Sequence, residues 1–265
     1  AFGDLNSVAI HGNLAALAVA NASDRPLPGL VVLYDTATRA PLAGATPITV
    51  GALPDMLTFT PDGSKLLVAN EGTPNAVPDT AYGLPDPVGS VSIIDVASRT
   101  VVAQPVFGGL VPEASNMGLN VRQPGMDWEP EYIAIAPDGS RAFVTLQENN
   151  AIAVIDLATN SATRLIGLGT KDFSLPGNEI DARDNNSIGF VNLPLRGLYM
   201  PDAIAAYSVG GRTYTVMANE GDFREDNADR TTVGGSGVES RLRVVRDGGF
   251  AAGARSFSIR DDNGN

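Results

Sequence analysis

"PDMLTFTPDGSKLLVANEG", residues 54–72, is the stretch on which the fold of this chain turns. Apolar residues alternate up to a Pro-Asp-Gly turn, a second apolar run follows, and an acid closes it. That order reads as strand, tight turn, strand. It returns as "PEYIAIAPDGSRAFVTLQENN" at residues 130–150 and as "PDAIAAYSVGGRTYTVMANEG" at residues 201–221. A hairpin repeated with the same opening Pro-acid pair and the same closing acid is one supersecondary unit copied along the chain. Copies of that kind predict an all-β fold, a β-propeller.

Upstream, "SVAIHG" and "LAALAVANA" predict two strands around the turn at Gly12 and Asn13, followed by "GLVVLYDT" and "ATPITVG". Four strands in so short a span make one blade. After the first Pro-acid hairpin come "GSVSIIDVASRT" and "VVAQPVF". After the second come "AIAVIDLATN" and "SATRLIGLG". Three strands end in Asp (Asp35, Asp95 and Asp156) ahead of a small polar turn, so each Asp is expected to accept backbone N–H groups there. The fourth unit has no clear outer half, although "RLRVV" and "RSFSIRD" are strand-like. About four blades are recognisable over residues 1–265, read as a single propeller domain or part of one.

The spacing from Asp55 to Glu131 and on to Asp202 exceeds the ~40–45 residues of a plain blade. The excess is loop, at about 73–88, 108–128, 170–200 and 222–240. Long loops on a repeat scaffold tend to share one face and to bind there. The chain starts at Ala1 with neither Met nor a signal-like apolar run, which predicts a mature product or an excised piece of a longer protein.

Composition narrows the chemistry. Of 265 residues, 30 are Asp or Glu against 18 Lys or Arg, a formal net charge of −12. This balance argues against nucleic acid and in favour of cations. With no cysteine, disulfides and thiolate metal sites are excluded. With His11 as the one histidine, a multi-His zinc site is excluded too. No run approaches the ~20 apolar residues of a membrane span.

In a propeller the first strand of each blade lines the channel and the second runs antiparallel to it. The start of the first and the end of the second share an edge. That geometry is expected to bring Asp55 with Glu71, Glu131 with Glu148, and Asp202 with Glu220 to one channel mouth, with Glu129 and Asp222 flanking. So many carboxylates repel unless a cation sits among them or some are protonated. Oxygen ligands without His or Cys suit calcium first, then magnesium or manganese. A repeat also copies turn-capping acids, but capping alone does not ask for Glu beside Asp. Weaker oxygen-rich runs are "DARDNN", with Asp181, Asp184 and Asn186, and "RDDNGN", with Asp261, Asn263 and Asn265. The second reads more simply as an Asn-Gly turn.

Arg122, Lys171, Arg196 and Arg224 fall in or beside the long loops. Folded over a metal-bearing mouth they would suit a phosphate ester; otherwise they balance nearby acids on a solvated surface. Trp128 would either wall a pocket or pack beneath a loop.

"VGALPDMLTFTPDGSKLLVANEG", "EPEYIAIAPDGSRAFVTLQENNAIAVIDL", "KDFSLPGNEIDARD" and "YMPDAIAAYSVGGRTYTVMANEGDFRE" together resemble the choice-of-anchor I family of secreted or surface-attached bacterial proteins. These are similar in turn to mesenchyme-specific cell-surface glycoproteins of biomineralising animals. The resemblance implies a YVTN-like propeller, seven-bladed in the full family, and a place outside the cytoplasm: extracellular, at the cell surface or periplasmic. Its members are often labelled alkaline phosphatase-like. Where relatives tend to carry His in "KDHSLPGN", this chain carries Phe173, which weakens any role for that position in catalysis. The expected function is an exported binding or scaffold protein holding a divalent cation, with an extracellular protein or a glycan as possible partner. A metal-dependent phosphoesterase using the same carboxylates is the alternative.

Overall fold

Four antiparallel sheets stand side by side in the computed structural model, which describes residues 3–75, 85–110, 128–183, 185–224, 230–233, 242–245 and 249–265. Blade one is β1 (Leu5–His11), β2 (Leu14–Val19), β3 (Pro28–Asp35), the short β4 (Ala40–Pro41) and β5 (Ile48–Ala52), with β4 and β5 both pairing β3. Blade two runs in order through β6 (Pro54–Phe59), β7 (Lys65–Asn70), β8 (Ser90–Asp95) and β9 (Thr100–Ala103). Blade three does the same with β10 (Pro130–Ile135), β11 (Arg141–Leu146), β12 (Ala151–Asp156) and β13 (Ser161–Gly167). The innermost strands neighbour one another in sequence order, β1 beside β6 and β6 beside β10.

A two-stranded ribbon, β14 (Thr170–Asp172) with β15 (Arg196–Leu198), interrupts the series. Blade four follows as β16 (Ile204–Val209) and β17 (Arg212–Asn219), with β16 beside β10. A second ribbon, β18 (Arg230–Thr232) with β19 (Arg243–Val245), precedes β20 (Ser256–Asp261), which pairs β17. Ser256–Asp261 of "RSFSIRD" is therefore the third strand of blade four, whereas Arg243–Val245 of "RLRVV" lies in a separate ribbon. The long excursions pack on each other: Leu198 N donates to Ala251 O at 2.9 Å and Ala251 N to Arg196 O at 2.9 Å. Buried Phe173 and Ile180 hold one small core there, with Leu198, Met200 and Phe223 in another. Phe173 fills apolar space, a role that its aromatic ring serves and a histidine would serve poorly.

The turns explain themselves chemically. In "TPDG" and "APDG" the glycines Gly63 and Gly139 adopt φ 71° and 72°, and Asp62 and Asp138 accept the N–H of Ser64 and Ser140. Asp35, Asp95 and Asp156 each accept an N–H three residues on, from Thr38, Ser98 and Thr159, at 2.7–2.8 Å. Four residues after each Asp the chain turns left-handed, at Arg39, Arg99 and Asn160. The blades are thus stitched by a second repeated turn besides the Pro-Asp-Gly one. His11 packs against Phe59, with ring planes tilted by 41°, at the hairpin end of β1, the end away from Leu5.

Blade-to-blade burial supplies the core. Trp128, 3% exposed, packs with Leu67, Ile93, Val144 and Ile155 between blades two and three, so it is part of the core and does not line the acidic cavity. Thr145, also buried, ties blades three and four: its hydroxyl receives the Tyr132 N–H at 2.9 Å and donates to Asp202 O at 2.8 Å. No helix of the described residues is long and apolar enough to cross a membrane.

Candidate functional site

Each strand pair delivers its acids by the geometry of the hairpin. Asp55, Glu131 and Asp202 sit at the start of β6, at the start of β10 and just before β16. Glu71, Glu148 and Glu220 follow the last residues of β7, β11 and β17. Antiparallel pairing returns those two chain positions to one edge. The structure brings all eight sequence-predicted carboxylates, including Glu129 and Asp222, around one cavity of about 320 Å³. Glu129 and Glu148 are buried in its wall, Asp55, Glu71, Glu131 and Asp202 are partly open, and Glu220 and Asp222 are exposed on its rim.

Blade one departs from the pattern. By register, Leu5 opposite Val19 matches Pro54 opposite Asn70, so Asn6 stands where blade two has Asp55. Its amide donates to Pro54 O at 2.9 Å and joins the blades instead of facing a ligand. Gly72 and Gly221, at φ 78° and 91°, let the chain leave for the long excursions directly after the acids. Blade three has no excursion there. A turn closed by Asn150 N to Gln147 O links β11 to β12, with Asn150 at φ 56°. The difference between "NEG" and "QENN" is therefore a difference in how the chain leaves the strand.

Three of the carboxylates come close enough to share an ion. Oxygens of Asp55, Glu71 and Glu131 all lie within 4.8 Å of one another. Calcium bonds oxygen at about 2.4 Å, so ligand oxygens on opposite sides of the ion stand ~4.8 Å apart. The donor set is all-oxygen and hard, the kind that calcium, magnesium and manganese accept. Arg25 approaches Glu71 at 3.5 Å from outside, and the Thr73 hydroxyl donates to the same carboxylate.

Crowding is written into the acid strengths. Burial, then Glu71, raises Glu148 to about 8. Burial, then Glu148, holds Glu129 and Glu131 well above the usual carboxylate range. Asp55 rises through burial first and Asp202 second, with Arg25 opposing, and Asp202 rises through burial. A group of this kind is relieved by protons or by a cation.

Arg224 is the one basic residue lining this cavity among the described residues. It is buried, and its guanidinium contacts Glu129 Oε1 at 2.8 Å and Asp86 Oδ1 at 3.0 Å. Asp86 went unnoticed in the sequence because it sits between two prolines, far from its partner, with no periodicity to mark it. Lys171 and Arg196 are not brought to the mouth. Lys171 donates to Ala254 O and lies over the Phe173 ring, and Arg196 pairs with Asp172 at 3.3 Å on the β14–β15 ribbon. Arg122 and Asp184 lie outside the described residues. Asp261 accepts the N–H groups of Asn263 and Asn265 and so closes a turn. Asp181 and Asn186 fall outside the cavity.

The sequence profile of the choice-of-anchor I domain matches residues 1–249. No curated protein matches the chain. Among solved structures it is similar to the hydrazine synthase of Kuenenia stuttgartiensis, at 15% identity and TM-score 0.49, over 98% of this chain and 50% of that one. It is similar also to the WD40 repeats of RRP9, at 9% identity and TM-score 0.40, over 62% of this chain and 38% of that one. A protein of unknown function from Bacteroides thetaiotaomicron VPI-5482 matches at 11% identity and TM-score 0.41, over 81% of this chain and 38% of that one. The chain spans half or less of the length of these structures.

Proposed function

Because the chain belongs to the choice-of-anchor I family, we propose that it is an exported propeller protein that binds or scaffolds, with a divalent cation at its acidic mouth. Calcium is the ion the ligand set favours. The family suggests export; the cation reading rests on one observation, the convergence of Asp55, Glu71 and Glu131 oxygens within 4.8 Å inside a ring of carboxylates. Without a cation some of these groups would hold protons at neutral pH, in keeping with the raised pKa of Glu148 and of Glu131. A bound ion would tie blade two to blade three through ligands from both and set the width of the mouth. Loops around that mouth would then present a fixed surface to an extracellular protein or glycan.

The hydrolytic alternative has less support. A phosphoester needs cations free to meet it, and hydrolysis through paired metals needs two ions ~4 Å apart. Here the mouth's arginine is engaged by Glu129 and Asp86, and Lys171 and Arg196 face elsewhere. The test is a thermal melt of chelator-stripped protein with and without calcium, run beside a phosphoesterase assay. Calcium-dependent stabilisation without turnover supports the scaffold. Turnover that requires added metal and fails in Glu131→Gln would replace it with the enzyme.

A further inference from the structure

We infer that Arg183, Arg243 and Arg255 form an anion site that receives a phosphate monoester, in a cavity apart from the acidic mouth. That cavity, about 590 Å³, shares no described lining residue with the acidic one. The inference goes beyond the cation reading and does not depend on it.

The three arginines reach the cavity from three separate parts of the chain. Arg183 lies in the excursion between β14 and β15, shortly after buried Ile180, which exchanges two 3.0 Å backbone hydrogen bonds with Val191. Arg243 opens β19, beside buried Val244, which bridges Ala251. Arg255 directly precedes β20 and follows Ala254, which is wholly buried. Each guanidinium thus springs from backbone that is anchored close by, so little ordering is left for a ligand to impose. Thr232 stands opposite Arg243 across the β18–β19 pair and also lines the cavity, which adds a hydroxyl donor on the same face.

Charge says what is missing. In this chain of net charge −12, arginines elsewhere are matched to acids: Arg141 to Asp262, Arg196 to Asp172, Arg224 to Glu129 and Asp86. Arg243 and Arg255 have neither an ion pair nor a side-chain hydrogen bond among the described residues. Asp181 is the one acid that lines the cavity among those residues, so three positive charges face one negative charge. Like charges converge at a cost, which one carboxylate offsets only in part. A phosphate monoester, carrying about −1.5 to −2 at neutral pH, matches the surplus. A carboxylate or a sulfate ester brings a single charge. Guanidinium forks also suit the several oxygens of a phosphate.

Arg255 adds a backbone observation. Its φ is 47°, the left-handed region in which a residue with a Cβ is strained. Arg39 and Arg99 share that conformation, but each closes a turn after its Asp, with its own N–H donated to Asp35 or Asp95. Arg255 leads straight into a strand, where glycine would hold the same backbone at lower cost. Its contribution therefore lies in the side chain. The cavity is also far larger than a phosphate group and falls within the range of small-molecule sites. The group accordingly arrives on a polar body of about sugar size rather than as the free ion.

Calorimetric titration of glucose 6-phosphate into the full chain, in chelator, tests this. Inorganic phosphate, glucose 6-sulfate and glucuronate are the comparisons. Glucose 6-phosphate should bind, and Arg243→Gln and Arg255→Gln should each weaken it about tenfold or more, as loss of a charged hydrogen-bond donor does. Arg39→Gln and Arg99→Gln should leave it unchanged. Arg255→Gly should bind as weakly as Arg255→Gln yet melt no lower than the parent, because glycine relieves the strained φ. That result separates lost binding from lost folding. The sulfate and glucuronate should bind roughly tenfold more weakly than the phosphate ester. Tighter binding of the ester than of inorganic phosphate supports a carried group; equal binding overturns that part and leaves the free ion as ligand. No binding of either phosphate, binding that survives both arginine substitutions, or glucuronate bound as tightly as the ester overturns the inference. Glu131→Gln should bind glucose 6-phosphate like the parent, so failure here is distinct from failure of the cation reading.

Discussion

Arg224 and Glu129 meet through a single carboxylate oxygen: Nε and a terminal nitrogen of the guanidinium both lie 2.8 Å from Oε1. Both side chains are almost wholly buried. The other oxygen, Oε2, has no hydrogen-bond partner among the described residues. The pair sits in the wall of the acidic cavity and, through Asp86, joins three loops that are distant in sequence. Removing the cation would strand two buried carboxylates.

Arg224→Met should therefore destabilise the folded chain by about 3–5 kcal/mol, the usual cost of breaking a buried ion pair from one side. Urea unfolding measures it. Adding Glu129→Gln to Arg224→Met should recover part of the loss. A change below about 1 kcal/mol in the single variant would mean that the pair is solvated and carries little.

Stability should depend on pH in a direction set by the mouth. Glu148 has a folded pKa of about 8 against an ordinary 4.5, and Glu129 and Glu131 move the same way. Between those values the folded chain holds more protons than the unfolded one, so stability falls as pH rises through the window. In chelator, Tm should drop from acid toward pH 8; with calcium present the slope should flatten, because the ion replaces the protons. The turn aspartates act with the opposite sign and lower down. Asp62, held at about 2 by its hydrogen bonds to Thr60 and Ser64, contributes above its unfolded value of 3.8 and loses this as pH falls. A flat or rising Tm in chelator across the neutral range would contradict the crowded mouth.

Much of this was legible in the sequence, and the reason is repetition. Pro-acid hairpins set out three blades, and the same register argument places Asp55, Glu131 and Asp202 at one edge from the sequence alone. What stayed hidden lacked a local signature. β20 is separated from β17 by a long excursion, so blade four looked unfinished. Asp86 and Arg224 are brought together only by loop packing. Asn6 concealed the fact that blade one gives the mouth no acid, since the amide serves a blade junction instead. Lys171 and Arg196 looked available because a sequence does not say which way a ribbon turns.

Trp128→Ala should cost about 3–5 kcal/mol by opening a cavity between blades two and three. A loss confined to cation response, with unfolding unchanged, would return Trp128 to the mouth and contradict its place in the core.

Asp55→Asn and Glu131→Gln should each leave the metal-free protein as stable as the parent or more so, since each removes a charge that its neighbours repel. Both should lose the calcium-induced rise in Tm, which in the parent should reach roughly 5–10 °C at a hundredfold excess over Kd. Variants that melt lower in chelator and still respond to calcium would reduce these acids to structural hydrogen-bond acceptors.

A cation at the mouth is tested most directly by calorimetric titration of calcium into chelator-stripped protein, with Glu131→Gln as control. One calcium per chain should bind the parent, with release of protons at neutral pH, and none should bind the variant. Absence of binding heat in the parent, or equal binding by Glu131→Gln, would contradict a cation held at the mouth.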